Sequence, residues 1–179
     1  MTTPVNHEQV LAVFQAMPAK DLVQFIIENF HEKHRVQLPE LMILARKIEE
    51  VHFDHSACPS GLSELLQVVY QELESHMLKE EQILFPMLAG GIYPQGPIAV
   101  MEEEHEQHEQ FISQLLALTN QCCPPSDACG SWVMLYRQLA EFIADLNQHI
   151  AVENSVLFKQ PETVTAGHHG NGHCCGGCQ

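Results

Sequence analysis

The sequence predicts an all-α protein, an up-down-up-down four-helix bundle with short N-terminal helices before it and a disordered C-terminal tail after it. Three observations carry this prediction. Apolar residues recur at spacings of three and four along the chain, and no run of alternating β-branched residues reads as a strand. Clusters of turn-forming residues interrupt the pattern at AMPAKD (16–21), DHSACPSG (54–61), AGGIYPQGP (89–97), CCPPSDACG (122–130) and KQPE (159–162). The connections between the long segments are short, which sets consecutive helices antiparallel.

Taken in order, the breaks leave a short helix near 6–16, a segment from 20 to 54, and long helices near 60–88, 97–120 and 131–158. Pro39 lies inside the second segment. Its ring removes a backbone donor and crowds the preceding turn, so a kink or break is expected there, and a helix at 20–30 followed by a kinked helix at 31–54 is the preferred division. From about 161 the chain is mostly Gly, His and Cys with little to bury, which predicts disorder without a ligand. The expected organisation is therefore N-terminal helices over 1–30, a bundle over 31–160 and a His/Cys-rich tail over 161–179.

At 179 residues and 45% hydrophobic content the chain can bury one core of its own. Its formal net charge of −15 repels phosphate backbones and anionic lipid, which argues against nucleic-acid and membrane partners. Neither a signal peptide nor an apolar span of membrane length is visible, so a cytoplasmic protein is expected. Seven cysteines, several of them adjacent, read as thiols in a reducing compartment rather than as a disulfide framework.

The inward stripes of this bundle are unexpectedly polar. Val69, Leu73, His76, Glu80 and Ile83 follow one another at helical spacing, as do Leu139, Phe142, Leu146, His149, Glu153 and Val156. Ile98, Met101, His105, His108, Ile112 and Leu115 form a third stripe, and His31, His34, Leu38, Leu41, Ala45, Ile48 and His52 a fourth. With about 1.5 Å of rise per residue, His31 and His52 are roughly 30 Å apart, so they cannot serve one site. In an antiparallel bundle His31, His76, Glu80, His105, His149 and Glu153 fall at one end, while His52 and His55 are left at the other.

Burying a bare carboxylate is costly, and no inward Lys or Arg accompanies Glu80 or Glu153. A cation is the missing partner. Two carboxylates can bridge two divalent ions while imidazoles cap each one, and a nitrogen and oxygen ligand set without thiolate suits iron or manganese better than a structural zinc. An oxo or hydroxo bridge would complete the charge balance. A lone inward histidine is more often a core residue than a ligand; two His-x-x-x-Glu pairs with His31 and His105 at matching height reverse that weighting. His34 and His108 stay open between outer ligand and support for a ligand, and His52 reads as structural.

At these residues the sequence resembles the hemerythrin-like proteins, and within them the bacterial iron-sulfur cluster repair group. The resemblance runs from about residue 23 to 158 through FHEKHRVQLPELMILARKIEEVH, SHMLKEEQILFPML, GPIAVMEEEHEQH and QHIAVENSVLF. It implies two non-heme iron ions held by His31, His76, His105 and His149, with Glu80 and Glu153 as bridges. It further implies repair or protection of iron-sulfur clusters under nitrosative or oxidative stress, by iron donation or by handling nitric oxide. Damaged or apo iron-sulfur proteins, nitric oxide, dioxygen and a second copy of the chain are then the candidate partners. Family members carry an N-terminal domain with an adjacent cysteine pair; here the resemblance begins after about twenty residues, and a CCGG string appears instead at 174–177.

The alternative is a dioxygen or nitric oxide sensor or carrier, for which His108 would supply a fifth histidine. Reduction of nitric oxide or peroxide is the enzymatic variant; no nucleophile, nucleotide loop or general acid points to a hydrolase or transferase. In the tail, His168, His169, His173, Cys174, Cys175 and Cys178 offer enough ligands for one further ion, whereas Cys122, Cys123 and Cys129 lack an evident fourth ligand.

Overall fold

The computed structural model describes residues 7–159, with side chains from residue 11 onward; the expectations for the tail 161–179 lie outside the described residues. The described elements are helices α1 (His7–Gln15), α2 (Ala19–Ile26), α3 (Glu32–Val51), α4 (Leu62–Lys79), α5 (Phe85–Ala89), α6 (Gln95–Leu118) and α7 (Gly130–Val152). Three π-helical turns, at Ile27–His31, Glu80–Leu84 and Glu153–Leu157, join α2 to α3, join α4 to α5, and extend α7.

The apolar stripes explain the packing. One core cluster contains Leu38, Leu73, Ile112 and Leu146, and a second contains Phe30, Leu84, Met101 and Leu157. Each of the four long helical segments passes from one cluster to the other through a buried polar layer. The segments carrying α3 and α6 run from the second cluster to the first, and those carrying α4 and α7 run back. That alternation is the up-down-up-down arrangement. Helix α3 packs on α4 and α7, α4 also on α6, and α6 on α7, closing the ring. The N-terminal helices α1 and α2 cover the end of the bundle through Phe14, Leu22, Val23 and Ile26 in the second cluster.

The segment expected over 20–54 divides near residue 31 into α2 and α3, joined by the π-turn Ile27–His31, and Pro39 lies within α3, which stays helical from Glu32 to Val51. The carbonyl deprived of its partner belongs to half-exposed Arg35, where water can replace the missing donor.

One expectation needs correction, that of register: helical spacing puts Ile83 on the inward stripe, yet it is 56% exposed while Leu84 is 2% exposed. Val156 is likewise only half-buried, and Leu157 takes its place in the core. Both departures follow directly from the π-turns. A wide turn adds one residue to the helical repeat, so the inward face beyond Glu80 and Glu153 moves on by one position. The backbone N–H groups of Phe85 and Phe158 bond five residues back, to Glu80 and Glu153.

Candidate metal centre

The polar layer between the two apolar clusters assembles all six residues singled out by stripe and height. His31, His76, Glu80, His105, His149 and Glu153 are each at most 1% exposed. His31 closes the first π-turn, Glu80 opens the second and Glu153 the third. His76 and His149 occupy the last turns of α4 and α7, one helical turn before their carboxylates, and His105 projects from the middle of α6. π-turns recur at functional positions in helices, and here each one carries a member of the cluster.

The ring nitrogens face one another in pairs. His31 Nε2 lies 3.2 Å from His149 Nε2, and His105 Nε2 lies 3.0 Å from His76 Nε2. Each carboxylate offers one oxygen to each pair. Glu80 Oε2 is 3.5 Å from His31 Nε2 and its Oε1 is 3.4 Å from His76 Nε2. Glu153 Oε1 is 3.0 Å from His149 Nε2 and its Oε2 is 3.1 Å from His105 Nε2. Two groups result, His31, Glu80, His149 and Glu153, and His76, Glu80, His105 and Glu153, each with its four donor atoms within 4.8 Å of one another.

This donor set fits a pair of cations. None of the four carboxylate oxygens has a hydrogen bond, despite the short approaches of the imidazoles. Two donors bound about 2.1 Å from one ion at right angles would lie about 3 Å apart, close to the separation within each nitrogen pair. Two buried carboxylates shared between two groups of imidazoles give each group nitrogen and oxygen donors without sulfur.

A further layer orients the rings. His31 Nδ1 meets Glu81 Oε1 at 2.7 Å, and Arg35 Nη2 holds the same oxygen at 2.9 Å. His76 Nδ1 meets Glu104 Oε2 at 2.9 Å, and Lys79 holds the other Glu104 oxygen. His105 Nδ1 meets Asn154 Oδ1 at 2.8 Å. These contacts place the ring proton on Nδ1 and leave the Nε2 lone pair facing the carboxylates. Sequence reasoning missed Glu81, Glu104 and Asn154. Glu81 and Asn154 adjoin the candidate bridges and Glu104 adjoins the candidate ligand His105, which is a usable signal, but adjacency does not say that Glu104 reaches His76 on another helix.

Aromatic rings of the second apolar cluster close the layer on that side. Phe30 stacks on His149 with centroids 5.2 Å apart, Phe85 on His31 at 5.5 Å and Phe158 on His105 at 5.8 Å. Burial and the neighbouring Glu153 carboxylate raise Glu80 to about 8, against the pull of His31. Burial also works against ionised Glu153, but His149, His105 and His31 surround it and hold it well below the ordinary carboxylate range. Without metal, the carboxylate pair therefore retains a proton at neutral pH. Burial opposes charge on His31, yet Glu153 and Glu80 overcome it and raise that ring to about 10.

The remaining histidines divide. His34 and His108 are buried beside the cluster, with rings 5.3 Å from His149 and 4.9 Å from His76, but neither joins the two donor groups. His52 lies away from the cluster, its ring 4.9 Å from Trp132 and its Nε2 3.3 Å from Cys129 Sγ. Cys58, Cys122, Cys123 and Cys129 are unpaired thiols, and no group of three metal-ligating side chains forms around them among the described residues.

Comparison with known proteins gives concordant results. The hemerythrin HHE cation binding domain matches residues 23–160. An iron-sulfur cluster repair protein YtfE from Musicola paradisiaca (strain Ech703) is 48% identical over 147 residues, covering 81% of this chain and 66% of the relative. A probable iron-sulfur cluster repair protein from Haemophilus influenzae is 49% identical over 140 residues, covering 77% of this chain and 63% of the relative. The YtfE protein of Pectobacterium atrosepticum is 46% identical over 143 residues, 79% and 65% of the respective chains. The chain thus spans just under two thirds of the length of these relatives. Among the described residues no helix is long and apolar enough to cross a membrane.

Proposed function

The chain belongs to the family of hemerythrin HHE cation-binding domains, and from that premise we propose that it is a di-iron protein acting in the repair or protection of iron-sulfur clusters. His31 and His149 would hold one iron, His76 and His105 the other, and Glu80 and Glu153 would bridge them. The observation that carries this reading is the sharing of both buried carboxylates between two four-donor groups. The relatives named for iron-sulfur cluster repair support the biological role. When bound, two irons supply redox chemistry and affinity for nitric oxide or dioxygen, as well as iron that can be surrendered.

The chain's own residues prepare that site. Glu81, Glu104 and Asn154 hold His31, His76 and His105 in the tautomer that leaves Nε2 unprotonated, and Phe30, Phe85 and Phe158 keep bulk water from the faces of His149, His31 and His105. Damaged or apo iron-sulfur proteins are the proposed partners, in the cytoplasm, with the bundle over 31–160 as the metal-binding unit and the helices of 1–30 as its cover. A dioxygen or nitric oxide carrier would call for a fifth histidine at the irons, and the position of His108 outside both donor groups weighs against it.

Anaerobic purification with metal counting tests the centre, and incubation of the reduced protein with an apo iron-sulfur protein and inorganic sulfide, with no other iron present, tests the role. Two irons per chain, with appearance of cluster absorption in the acceptor, are expected. A chain that takes up no iron removes the proposed centre. Reversible oxygenation without any transfer to the acceptor would assign the protein to the carrier class instead.

A further inference from the structure

His149 is the exception among the four histidines of the cluster. The other three engage Nδ1 with a side-chain oxygen at 2.7 to 2.9 Å, whereas His149 Nδ1 is buried without a partner. With Nε2 turned to the carboxylates, its Nδ1 carries the ring proton and is a donor lacking an acceptor.

His34 has the complementary deficiency. Its Nδ1 lies 3.2 Å from Gln37 Oε1, and the amide of Gln37 is oriented by donation from Nε2 to Asp145 Oδ2 at 2.7 Å. Lys33 Nζ in turn holds that aspartate oxygen at 2.6 Å. An amide oxygen only accepts, so the proton of His34 sits on Nδ1. His34 Nε2, buried and unpartnered, is therefore an acceptor lacking a donor. The two rings are 5.3 Å apart between centroids, with planes inclined by 32°. Buried polar groups are paired in folded proteins, directly or through an internal water.

We propose that His34 is the positioning residue for His149, its Nε2 accepting the Nδ1 proton of His149 in a hydrogen bond closed directly or through one water. This rests on the reading of His149 as a ligand. The assignment also completes the pattern of the cluster. On one side His76 is backed by the carboxylate Glu104 and His105 by the neutral amide Asn154; on the other, His31 is backed by the carboxylate Glu81 and His149 by the neutral imidazole His34. Each pair then has one strongly and one weakly polarised ring, with the string Lys33, Asp145, Gln37 and His34 fixing the last of the four from the surface.

The test uses the full chain loaded with zinc as a diamagnetic ion. In the wild type, an imidazole N–H resonance assigned to His149 Nδ1 should be protected from exchange with water. His34→Phe keeps the ring volume and removes the acceptor; it should abolish that protection and speed chelator removal of one of the two zinc equivalents by about 10- to 100-fold. His34→Gln, which can still accept, should restore most of the retention. The wild-type resonance does not depend on a variant folding, and absence of protection there overturns the proposal. So does release of zinc from a folded His34→Phe at the wild-type rate, or a His34→Gln as leaky as His34→Phe. His149→Ala separates the two levels of inference. If it retains both equivalents, His149 is no ligand and the proposed centre fails with this inference; if it loses one while His34→Phe loses none, only the role of His34 is refuted.

Discussion

His76 and His105 present their Nε2 atoms to each other at 3.0 Å across the interface of α4 and α6, while the Nδ1 of each is held by a side-chain oxygen. Two aligned nitrogen lone pairs in a dry layer repel one another unless a proton or a cation lies between them. The facing of Nε2 atoms recurs at His31 and His149, where only His31 Nδ1 is held by a side-chain oxygen, and the carboxylates of Glu80 and Glu153 connect the two pairs.

The bridging role predicts coupled metal loss. Glu80→Ala and Glu153→Ala should each lower the bound metal from two equivalents to less than one, because each removes an oxygen from both donor groups. Metal analysis after gel filtration reads this directly, and a variant that keeps one full equivalent would show that its carboxylate serves one ion alone.

In the metal-free protein the two carboxylates should behave differently. Glu80 already holds a proton near neutral pH, so Glu80→Gln should change stability little there. Glu153 is ionised among His149, His105 and His31, and Glu153→Gln would strip the countercharge from a buried cation at a cost on the order of 3–5 kcal/mol. Denaturant unfolding with a chelator present compares the two; equal effects would contradict this division of charge.

The oxygens that hold Nδ1 should set how tightly metal is retained. Glu81→Gln and Glu104→Gln each leave a hydrogen-bond acceptor but remove the negative charge behind one imidazole, and each should weaken metal affinity by about 10- to 100-fold. Competition with a chelator of known affinity measures the change. Glu103→Gln is the control expected to have no effect.

Metal-free stability should be greatest near neutral pH. Burial lowers His34 and His108 to about 3, with the charge of nearby histidines adding to the effect, so their contribution is present above their unfolded value near 6.5 and is lost as pH falls toward 3. His31 and Glu80 are raised, to about 10 and about 8, so what they contribute is present at low pH and is lost as pH rises through those values. Melting temperature against pH in chelator should therefore fall on both sides, and a profile still rising from pH 8 to 10 would be incompatible with a charged His31.

The π-turn predicts a contrast between neighbouring residues. Leu84→Ala should cost about 2–5 kcal/mol, and Ile83→Ala should stay within about 0.5 kcal/mol of the wild type. Regular α-helical spacing sets Ile83 and Leu84 about equally near the inward face, so comparable losses from the two substitutions would contradict the wide turn.

Much of this was legible in the residues because helical periodicity is local. The spacing of Leu73, His76 and Glu80, and of Leu146, His149 and Glu153, marks an inward face without reference to any other helix. Rise per residue then ordered the six polar side chains by height, and the rule that buried charge needs a counterion supplied the cation. Tertiary structure alone decided what depends on neighbours. The π-turns shift the inward face from Ile83 to Leu84 and from Val156 to Leu157, because these segments must aim a carboxylate into the polar layer and still fill the apolar cluster beyond it. Helix α6 put Glu104, rather than Glu102 or Glu103, against His76, and α7 brought His149 beside His34. Backbone hydrogen bonding is settled within a few residues of chain, whereas the partner of a buried ring nitrogen is settled by whichever helix packs across from it.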